Sequence, residues 1–363
     1  MISKVVCFVP ALSQPRCIKR VSSLYQTGCD VYVYGYNRGK YDVNQYPNQV
    51  KVNILGGIND GDYLRKFKTI WIDTSRIIND YKNTDTLFYA FGYFHAFVCF
   101  VKHVKYIYEI SDILYAYPQF KYIKPLLVFL DKAMIRKSKA TIMTSGGFKD
   151  YLDVEKDNIF VIPNQVNRLF EKKERRALSL NSNKIRFGFV GSMRYESIYK
   201  FSEVIGRYFP KYTFTFYGGA LGVTKDRINS IITRYSNVHY YGVYKNPDDL
   251  ESIYREIDVV VACYDINSEN ERIAEPNKLY ESLFFCKPIL VSPNIYLSKR
   301  VCSFGCGYSI DASCEESIKR FVEGIKIEDL NAISQRELTT PLSEIVDNPE
   351  TIRIIVEKCS DYA

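Results

Sequence analysis

One short stretch of the sequence places a proline, a lysine and a glutamate at helical spacing. Residues 275–288 read Glu-Pro-Asn-Lys-Leu-Tyr-Glu-Ser-Leu-Phe-Phe-Cys-Lys-Pro, which predicts a helix that begins near Pro276. Lys278 and Glu281 lie three positions apart, so they share one face of the first turn. A lysine beside the free N–H groups of a helix start attracts a phosphate, and a carboxylate suits a pair of ribose hydroxyls. The alternative is an amphipathic helix with a surface Lys–Glu pair.

Strand and helix patterns alternate around this stretch and would have to position it. Lys4–Pro10 predicts a strand, Gln14–Tyr25 a helix, and Asp30–Gly35 a second strand. A strand–helix–strand start is typical of a parallel sheet, and the absence of Gly-x-Gly-x-x-Gly from its first turn argues against a dinucleotide dehydrogenase. Further strands are predicted at Thr86–Ala90, Tyr106–Ile110, Ala140–Thr144, Ile159–Ile162, Arg186–Val190, Tyr212–Tyr217, Val238–Tyr241, Asp258–Tyr264 and Ile289–Ser292.

A polar interval separates two such halves. Residues 168–184 are charged and polar, which is typical of a linker between domains. Strand and helix patterns resume after it, with helices predicted at Ser202–Tyr208, Arg227–Tyr235 and up to Glu256. A chain of 363 residues with 47% hydrophobic residues is long and apolar enough for two folded domains.

The helix start resembles a motif of a known family. Pro276-x-Lys278-Leu279-Tyr280-Glu281, followed by Cys286-Lys287-Pro288, resembles the group 1, family 4-like retaining glycosyltransferases of GT-B architecture. Relatives usually read P-x-K-L-x-E-Y-x-A-x-G-K-P-V, so Ser282 and Cys286 depart from the pattern, and Ile273 stands near the place of a first glutamate. The segments around residues 112, 145, 163, 191 and 304 also resemble those of the family.

The resemblance implies an α/β fold with two Rossmann-like, doubly wound domains that face a cleft. Residues 1–170 would form an acceptor-binding domain, and residues 183–344 a nucleotide-sugar-binding domain. A last helix within 345–363 would pack back onto the first domain. Ligands in such sheets bind beyond the carboxyl ends of the strands.

The resemblance also implies the site residues. The donor would contact Gly191, Ser192, Arg194, Gly242, Tyr244, Glu275, Pro276, Asn277, Lys278 and Glu281. Asp112 and Lys278 are the candidate catalytic residues: Asp112 would orient or deprotonate the acceptor, and Lys278 would stabilise the leaving diphosphate. Arg16 and Tyr93 are candidate acceptor contacts. A helix N-cap is an equally good role for Asp112, and Ser111 stands where relatives often carry His.

Composition limits the other classes of function. The net charge of +8 is spread along the chain, which fits an anionic substrate or an acidic membrane surface as well as plain solubility. Ten scattered cysteines and three histidines show no metal-ligand spacing, so we expect a reduced protein without metal or cofactor. Basic and aromatic residues form no recognisable nucleic-acid module. We expect no secretory signal and no spanning helix, so any membrane contact would be peripheral.

The predicted function is transfer of a sugar from a UDP- or GDP-sugar to a glycan or lipid-linked acceptor. Family analogy suggests bacterial surface polysaccharide synthesis in the cytoplasm, at the inner face of the plasma membrane. Two alternatives stay open: a sugar-nucleotide 2-epimerase, and a non-catalytic subunit that only binds a nucleotide sugar.

Overall fold

The protein folds into two compact units. The computed structural model describes residues 4–37, 46–58, 62–181 and 184–361. Unit 1 contains the chain up to Pro163 and from Asn348 onward, and unit 2 contains Asn164–Asp347.

Strands and helices alternate through both units. The strands are β1 Lys4–Val9, β2 Asp30–Asn37, β3 Lys51–Gly57, β4 Thr86–Phe91, β5 Tyr106–Ile110, β6 Ala140–Met143, β7 Ile159–Val161, β8 Arg186–Val190, β9 Thr213–Tyr217, β10 Val238–Gly242, β11 Val259–Ala262, β12 Ile289–Val291 and β13 Gly307–Ser309. The helices are α1 Pro15–Tyr25, α2 Tyr63–Asp80, α3 Tyr93–Val101, α4 Lys124–Lys137, α5 Gly146–Leu152, α6 Glu196–Tyr208, α7 Val223–Arg234, α8 Leu250–Arg255, α9 Glu269–Ile273, α10 Asn277–Phe285, α11 Tyr296–Phe304, α12 Glu315–Gly324, α13 Ile327–Thr339, α14 Leu342–Ile345 and α15 Pro349–Asp361. Short 3-10 helices lie at Leu114–Ala116, Pro118–Phe120 and Arg168–Phe170.

Unit 1 is built on a seven-stranded parallel sheet in the order β3-β2-β1-β4-β5-β6-β7. Strands β4 and β5 are buried along their whole length, because helices cover both faces of a parallel sheet. The inner face of α1 carries Cys17, Val21 and Leu24 at helical spacing. These residues share one core with Ile352 and Ile355 of α15, so the returning helix completes this unit.

Unit 2 is built on a six-stranded parallel sheet in the order β10-β9-β8-β11-β12-β13. The predicted fold class of two Rossmann-like α/β domains is therefore confirmed. In each sheet the order reverses beside its first strand in the chain: between β1 and β4 in unit 1, and between β8 and β11 in unit 2. Connections leave such a point on opposite faces of the sheet, which opens a crevice at the carboxyl ends of the strands.

The segment predicted as a linker, residues 168–184, packs onto unit 2 as far as the structure describes it. Arg175 donates hydrogen bonds to the carbonyl oxygens of Leu283, Phe284, Glu337, Leu338 and Thr340, in the α10 and α13 regions. Phe170 is buried against the rings of Phe284 and Phe285. The division between the units accordingly falls at residue 163, earlier than the predicted boundaries at 170 and 183.

The remaining differences from the predicted elements are local. The strands differ by two residues at most at either end, whereas α6 begins at Glu196, six residues before its predicted start. Strand β3 and the eighteen-residue helix α2 were not predicted. Among the described residues, no helix has the length and apolar character needed to cross a membrane.

Candidate functional site

Lys278 lies at the point in unit 2 where the strand order reverses. Its Nζ is 5.1 Å from the ring centroid of Phe189, at the end of β8, and 5.7 Å from that of Tyr264, which follows β11. Among the described residues, none forms a hydrogen bond or an ion pair with this ammonium group. Burial lowers its pKa, and the nearby carboxylate of Glu281 acts in the opposite direction. A partly desolvated cation at this place is suited to binding an anion.

Glycines end three neighbouring strands beside this ammonium group. Gly191, Gly218 and Gly242 follow or end β8, β9 and β10, and all have positive φ angles of 138°, 151° and 98°. The N–H of Gly191 donates to the carbonyl oxygen of Tyr217 at 2.7 Å, and that of Gly218 to Gly242 at 2.8 Å. A Cβ on Gly191 would lie 2.7 Å from the Nζ of Lys278. Glycine is therefore required here for the lysine to reach over the strand end.

Two helices begin at this edge of the sheet, and their first turns differ. The N–H groups of Glu196 and Ser197 at the start of α6 donate to the carboxylate of Asp265 at 2.6 and 2.9 Å. Helix α10 has no side-chain cap; its N-cap residue is Pro276, and exposed Asn277 is its first helical residue. Because an uncapped helix start attracts anions, the start of α10 is the better place for a phosphate.

Arg194 supplies a second cation near the lysine. Its guanidinium lies 5.0 Å from the ring of Tyr195 and donates to that hydroxyl at 2.7 Å. The ring of Tyr195 packs on Tyr264 with centroids 4.5 Å apart. The positive charge of Arg194 also contributes to the lowered pKa of Lys278. The structure thus places two like charges close together at one strand edge, with exposed Ser192 beside them.

Glu281 lies buried one turn into α10. Its Oε2 accepts a hydrogen bond of 2.7 Å from the hydroxyl of Tyr254, which is itself fully buried. Burial is the main cause of the raised pKa of Tyr254, and the charge of Glu281 and the neighbouring Tyr244 raise it further. Glu281, Tyr254 and Tyr244 are therefore close neighbours, as the predicted donor residues Glu281 and Tyr244 would need to be.

Glu275 differs from the other predicted donor residues. Its Oε1 accepts hydrogen bonds from the hydroxyl of Tyr280 at 2.5 Å and from Nε of Arg300 at 2.9 Å. Its backbone oxygen accepts from Nδ2 of Asn164 at 3.1 Å. These internal contacts give Glu275 a role in holding the turn before α10, which spacing along the sequence alone did not indicate.

Unit 1 has a cavity at its own reversal point. The cavity has a volume of about 250 Å³ and is bounded by Pro10 after β1, by Phe91 and Gly92 at the end of β4, and by Ser111 after β5. The three predicted acceptor-side residues, Asp112, Arg16 and Tyr93, all line it. Asp112 is exposed, whereas Tyr93 is buried and donates through its hydroxyl to the carbonyl oxygen of Leu127 at 3.2 Å.

A buried carboxylate fixes Arg16 at the cavity wall. The Oε1 of Glu109 lies 3.2 Å from Nε of Arg16, in an ion pair without hydrogen-bond geometry. Its Oε2 accepts from Nε of Arg20 at 3.1 Å and from the hydroxyl of Tyr89. The Arg16 side chain is only 14% exposed, so its position depends on this buried pair.

Most other residues of the cavity wall were not among the predicted site residues, and four of them carry polar or charged side chains from α2, α3 and the first 3-10 turns. Lys66 and Tyr63 come from α2, Tyr117 follows the first 3-10 helix, and His95 lies within α3. The Nδ1 of His95 is 3.1 Å from the hydroxyl of Thr74, and its buried Nε2 has no partner in the described part of the chain. Burial and, to a lesser extent, the nearby charge of Lys66 lower the pKa of His95 to about 3, so this imidazole is neutral.

The described residues contain no group of three or more His, Cys, Asp or Glu side chains placed to hold a metal ion. The charged side chains that lie at the two reversal points include Lys278, Arg194 and Glu281 in unit 2, and Arg16, Lys66 and Asp112 in unit 1.

Solved structures share this fold over nearly the whole chain. Sucrose-phosphate synthase from Thermosynechococcus elongatus matches with a TM-score of 0.71 and 13% identity, covering 99% of this chain and 98% of that one. HepE from Anabaena, solved in complex with UDP, matches with a TM-score of 0.69 and 14% identity, covering 99% of this chain and 100% of that one. WaaG, a glycosyltransferase involved in lipopolysaccharide biosynthesis, matches with a TM-score of 0.66 and 13% identity, covering 97% of this chain and 99% of that one. No family model and no curated sequence matches the chain.

Proposed function

We propose that the protein is a glycosyltransferase that moves a sugar from a nucleotide-sugar donor to a glycan or lipid-linked acceptor, with retention of the anomeric configuration. One observation carries the proposal. The partly desolvated ammonium of Lys278 stands over the glycine-lined strand ends of unit 2, at an uncapped helix start, with the carboxylate of Glu281 one turn away.

The nucleoside diphosphate of the donor would bind at these strand ends of unit 2, with its diphosphate and its nucleoside held by different residues. The diphosphate would lie against Lys278, Arg194 and the first N–H groups of α10, because all of them favour negative charge. The ribose hydroxyls would bond to Glu281, which Tyr254 holds in place. The base would lie near Gly242 and Tyr244. The HepE structure in complex with UDP supports this choice by fold similarity.

The chemical step would rely on electrostatics. As the glycosidic bond breaks, negative charge grows on the nucleoside diphosphate, and Lys278 and Arg194 would stabilise that charge without a metal ion. Their mutual repulsion in the free protein makes the site more attractive to an anion than a single cation would be. Asn277, Pro276 and Ser192 would contribute backbone and polar contacts, and Glu275 would hold the turn.

The acceptor would bind in the cavity of unit 1. Asp112 would accept or orient the proton of the attacking hydroxyl, because it is exposed at the cavity wall. Arg16 and the ring of Tyr93 would position the acceptor sugar. The same proposal places the protein in the bacterial cytoplasm, in surface polysaccharide synthesis at the inner face of the plasma membrane, with UDP or GDP as the carrier.

A ligand panel with product analysis tests the proposal. Melting temperatures are measured with UDP, GDP, ADP and CMP, and the matching nucleotide sugar is then incubated with and without glycan acceptors. A shift with UDP or GDP and transfer of the sugar support a glycosyltransferase. Isomerised sugar nucleotide formed without acceptor would instead indicate an epimerase, and binding without turnover a non-catalytic subunit. The absence of any nucleotide-dependent shift would overturn the proposal.

A further inference from the structure

Helix α10 carries two side chains of the candidate donor site in its first turns. Lys278 and Glu281 are its second and fifth residues, and its N-cap residue is Pro276, whose side chain cannot accept a hydrogen bond. The Nζ of Lys278 lies so close to Gly191 that a Cβ on that glycine would come within 2.7 Å of it. Because polar contacts weaken over fractions of an ångström, the position of this short helix matters, and it has to be set from elsewhere.

The C-terminal end of α10 is held by an arginine from outside the helix. Nη2 of Arg175 donates to the carbonyl oxygen of Leu283 at 2.9 Å, and Nε donates to that of Phe284 at 3.3 Å. The same guanidinium donates to three carbonyl oxygens at the C-terminal end of α13, those of Glu337, Leu338 and Thr340. The last carbonyl groups of a helix lack partners within it and carry the negative end of its dipole. One planar cation therefore joins the ends of two helices.

Phe170 joins the same end of α10 to the buried carboxylate. Its ring is buried and packs edge-on against the rings of Phe284 and Phe285, with centroids 5.1 and 5.6 Å apart. Phe285 in turn stacks on Tyr254 with centroids 4.6 Å apart, and the hydroxyl of Tyr254 donates to Oε2 of Glu281 at 2.7 Å. A series of packed rings thus leads from Phe170 to the side chain that would bind the ribose.

Both residues belong to the segment with which the chain opens unit 2, here called the opening segment (residues 164–175). Its first residue, Asn164, donates through Nδ2 to the carbonyl oxygen of Glu275 at 3.1 Å, in the turn before α10. The opening segment therefore contacts the turn that leads into α10 as well as the far end of that helix.

We propose that Phe170 and Arg175 are positioning residues for the donor site, which set the place of Lys278 and Glu281 by fixing α10. This inference rests on the proposed function, because it takes a nucleoside diphosphate to bind at the start of α10. A helix of nine residues is about 14 Å long, so a small tilt at its C-terminal end moves its first turn. A misplacement of about 1 Å can cost on the order of 100-fold in activity.

Coupling between two sites acts equally in both directions. If a firmly held opening segment improves nucleotide binding, then a bound nucleotide must hold the opening segment more firmly. A residue that only adds stability to the fold has no such link to the ligand. This difference separates a positioning role from a purely structural one.

Hydrogen exchange of the full chain, with and without saturating UDP or GDP, measures the coupling. We expect the backbone amides of residues 168–175 to exchange about 2- to 30-fold more slowly when nucleotide is bound. In calorimetry, Arg175→Met and Phe170→Leu should each bind the nucleotide about 2- to 30-fold more weakly. Arg175→Lys should fall between these variants and the unmodified protein, because an ammonium group reaches only some of the five carbonyl oxygens.

The matched control is Asn331→Ala in α13. The side-chain amide of Asn331 forms two hydrogen bonds with the backbone of Leu180, at 2.9 and 3.0 Å, farther along the chain than the opening segment. This variant should lower the melting temperature without changing nucleotide affinity. Circular dichroism checks that each variant is folded, and where one is not, the exchange measurement on the unmodified protein decides.

The outcomes separate this inference from the proposed function. Nucleotide binding with unchanged exchange in residues 168–175 would overturn the inference alone. So would folded Arg175→Met and Phe170→Leu variants that keep the original Kd, or an equal loss of affinity in Asn331→Ala. An unmodified protein that binds neither UDP nor GDP would overturn the proposed function, and this inference with it.

Discussion

Replacing Lys278 by methionine should weaken donor binding without destabilising the ligand-free protein. Methionine keeps the length and apolar contacts of the lysine stem against Phe189 and Tyr264 but removes the charge. Burial lowers the pKa of Lys278, so its charged form is disfavoured in the folded protein. We therefore expect Lys278→Met to leave the free energy of unfolding of the ligand-free protein unchanged or raised.

The effect on donor binding should be large. Two unit charges 4 Å apart attract by about 4 kcal/mol at an effective dielectric constant near 20, and desolvation of the phosphate opposes part of this. A net loss of about 2–3 kcal/mol, typical of a hydrogen bond to a charged group, corresponds to a roughly 30- to 150-fold weaker Kd. At a UDP concentration about 100 times the original Kd, ligand stabilisation would fall from about 2.7 to about 0.4 kcal/mol for a 100-fold loss.

Calorimetry with UDP and GDP, together with melting curves, measures both effects. The control is Lys299→Met on α11, an exposed lysine of the same unit, which should change neither. Affinity should also depend on pH, because a bound diphosphate raises the lowered pKa of Lys278. Binding at alkaline pH then takes up a proton on Lys278, and the affinity falls as the pH rises through the pKa that Lys278 has in the ligand-free protein. A variant that keeps the original Kd, or that unfolds, would refute the role given to Lys278.

Three further substitutions test other parts of the structure. Gly191→Ala should weaken nucleotide binding and destabilise the protein by about 1–3 kcal/mol, because a φ of 138° is strained for alanine and the new Cβ would meet the ammonium group of Lys278. The control is Gly219→Ala, whose Cβ would lie 3.5 Å from its nearest neighbour; it should change nucleotide affinity in calorimetry and the melting temperature only slightly. Burial raises the pKa of Asp131 to about 6, so the free energy of unfolding should decline by about 2 kcal/mol as pH rises from 4 to 7, relative to Asp131→Asn. The same pH dependence in chemical denaturation of both proteins would contradict this. Glu109→Gln should lower the free energy of unfolding by about 3–5 kcal/mol in chemical denaturation, because it leaves the charge of buried Arg20 uncompensated. Glu256→Gln, in an exposed ion pair, should lower it by about 1 kcal/mol or less, and equal losses in the two variants would refute the distinction.

Local patterns in the sequence were sufficient for most of the elements. The predicted ranges of the strands Tyr106–Ile110 and Arg186–Val190 match the structure, and the helix predicted at Gln14–Tyr25 begins one residue later, at Pro15. Short apolar runs bounded by Gly, Pro or charged residues leave few alternatives. Helix α2 was missed although Ile70, Thr74 and Ile77 lie on one face at helical spacing. Polar Thr74 within that stripe and exposed apolar residues outside it obscure the pattern.

The sites depend on information that local patterns do not contain. Lys278 and Glu281 lie on one helix, so their spacing predicts that they are neighbours. The cavity instead needs β4 to lie beside β1, and strand order is set by the packing of the whole sheet. Lys66 and His95 are brought to it by that order. The contact between Glu275 and Arg300, from the following helix, is likewise a product of tertiary packing.

The way the chain returns to unit 1 has a consequence for its synthesis. Ile352, Ile355 and Val356 of α15 complete the core that α1 begins, yet all of unit 2 lies between them in the chain. At typical rates of roughly 5–20 residues per second, a ribosome needs on the order of 10–40 s to translate that interval. Nascent unit 1 therefore waits with an open apolar groove along α1 and is vulnerable to aggregation until its last helix emerges. Premature termination within unit 2 would leave that groove permanently uncovered and the truncated product a substrate for chaperones and proteases.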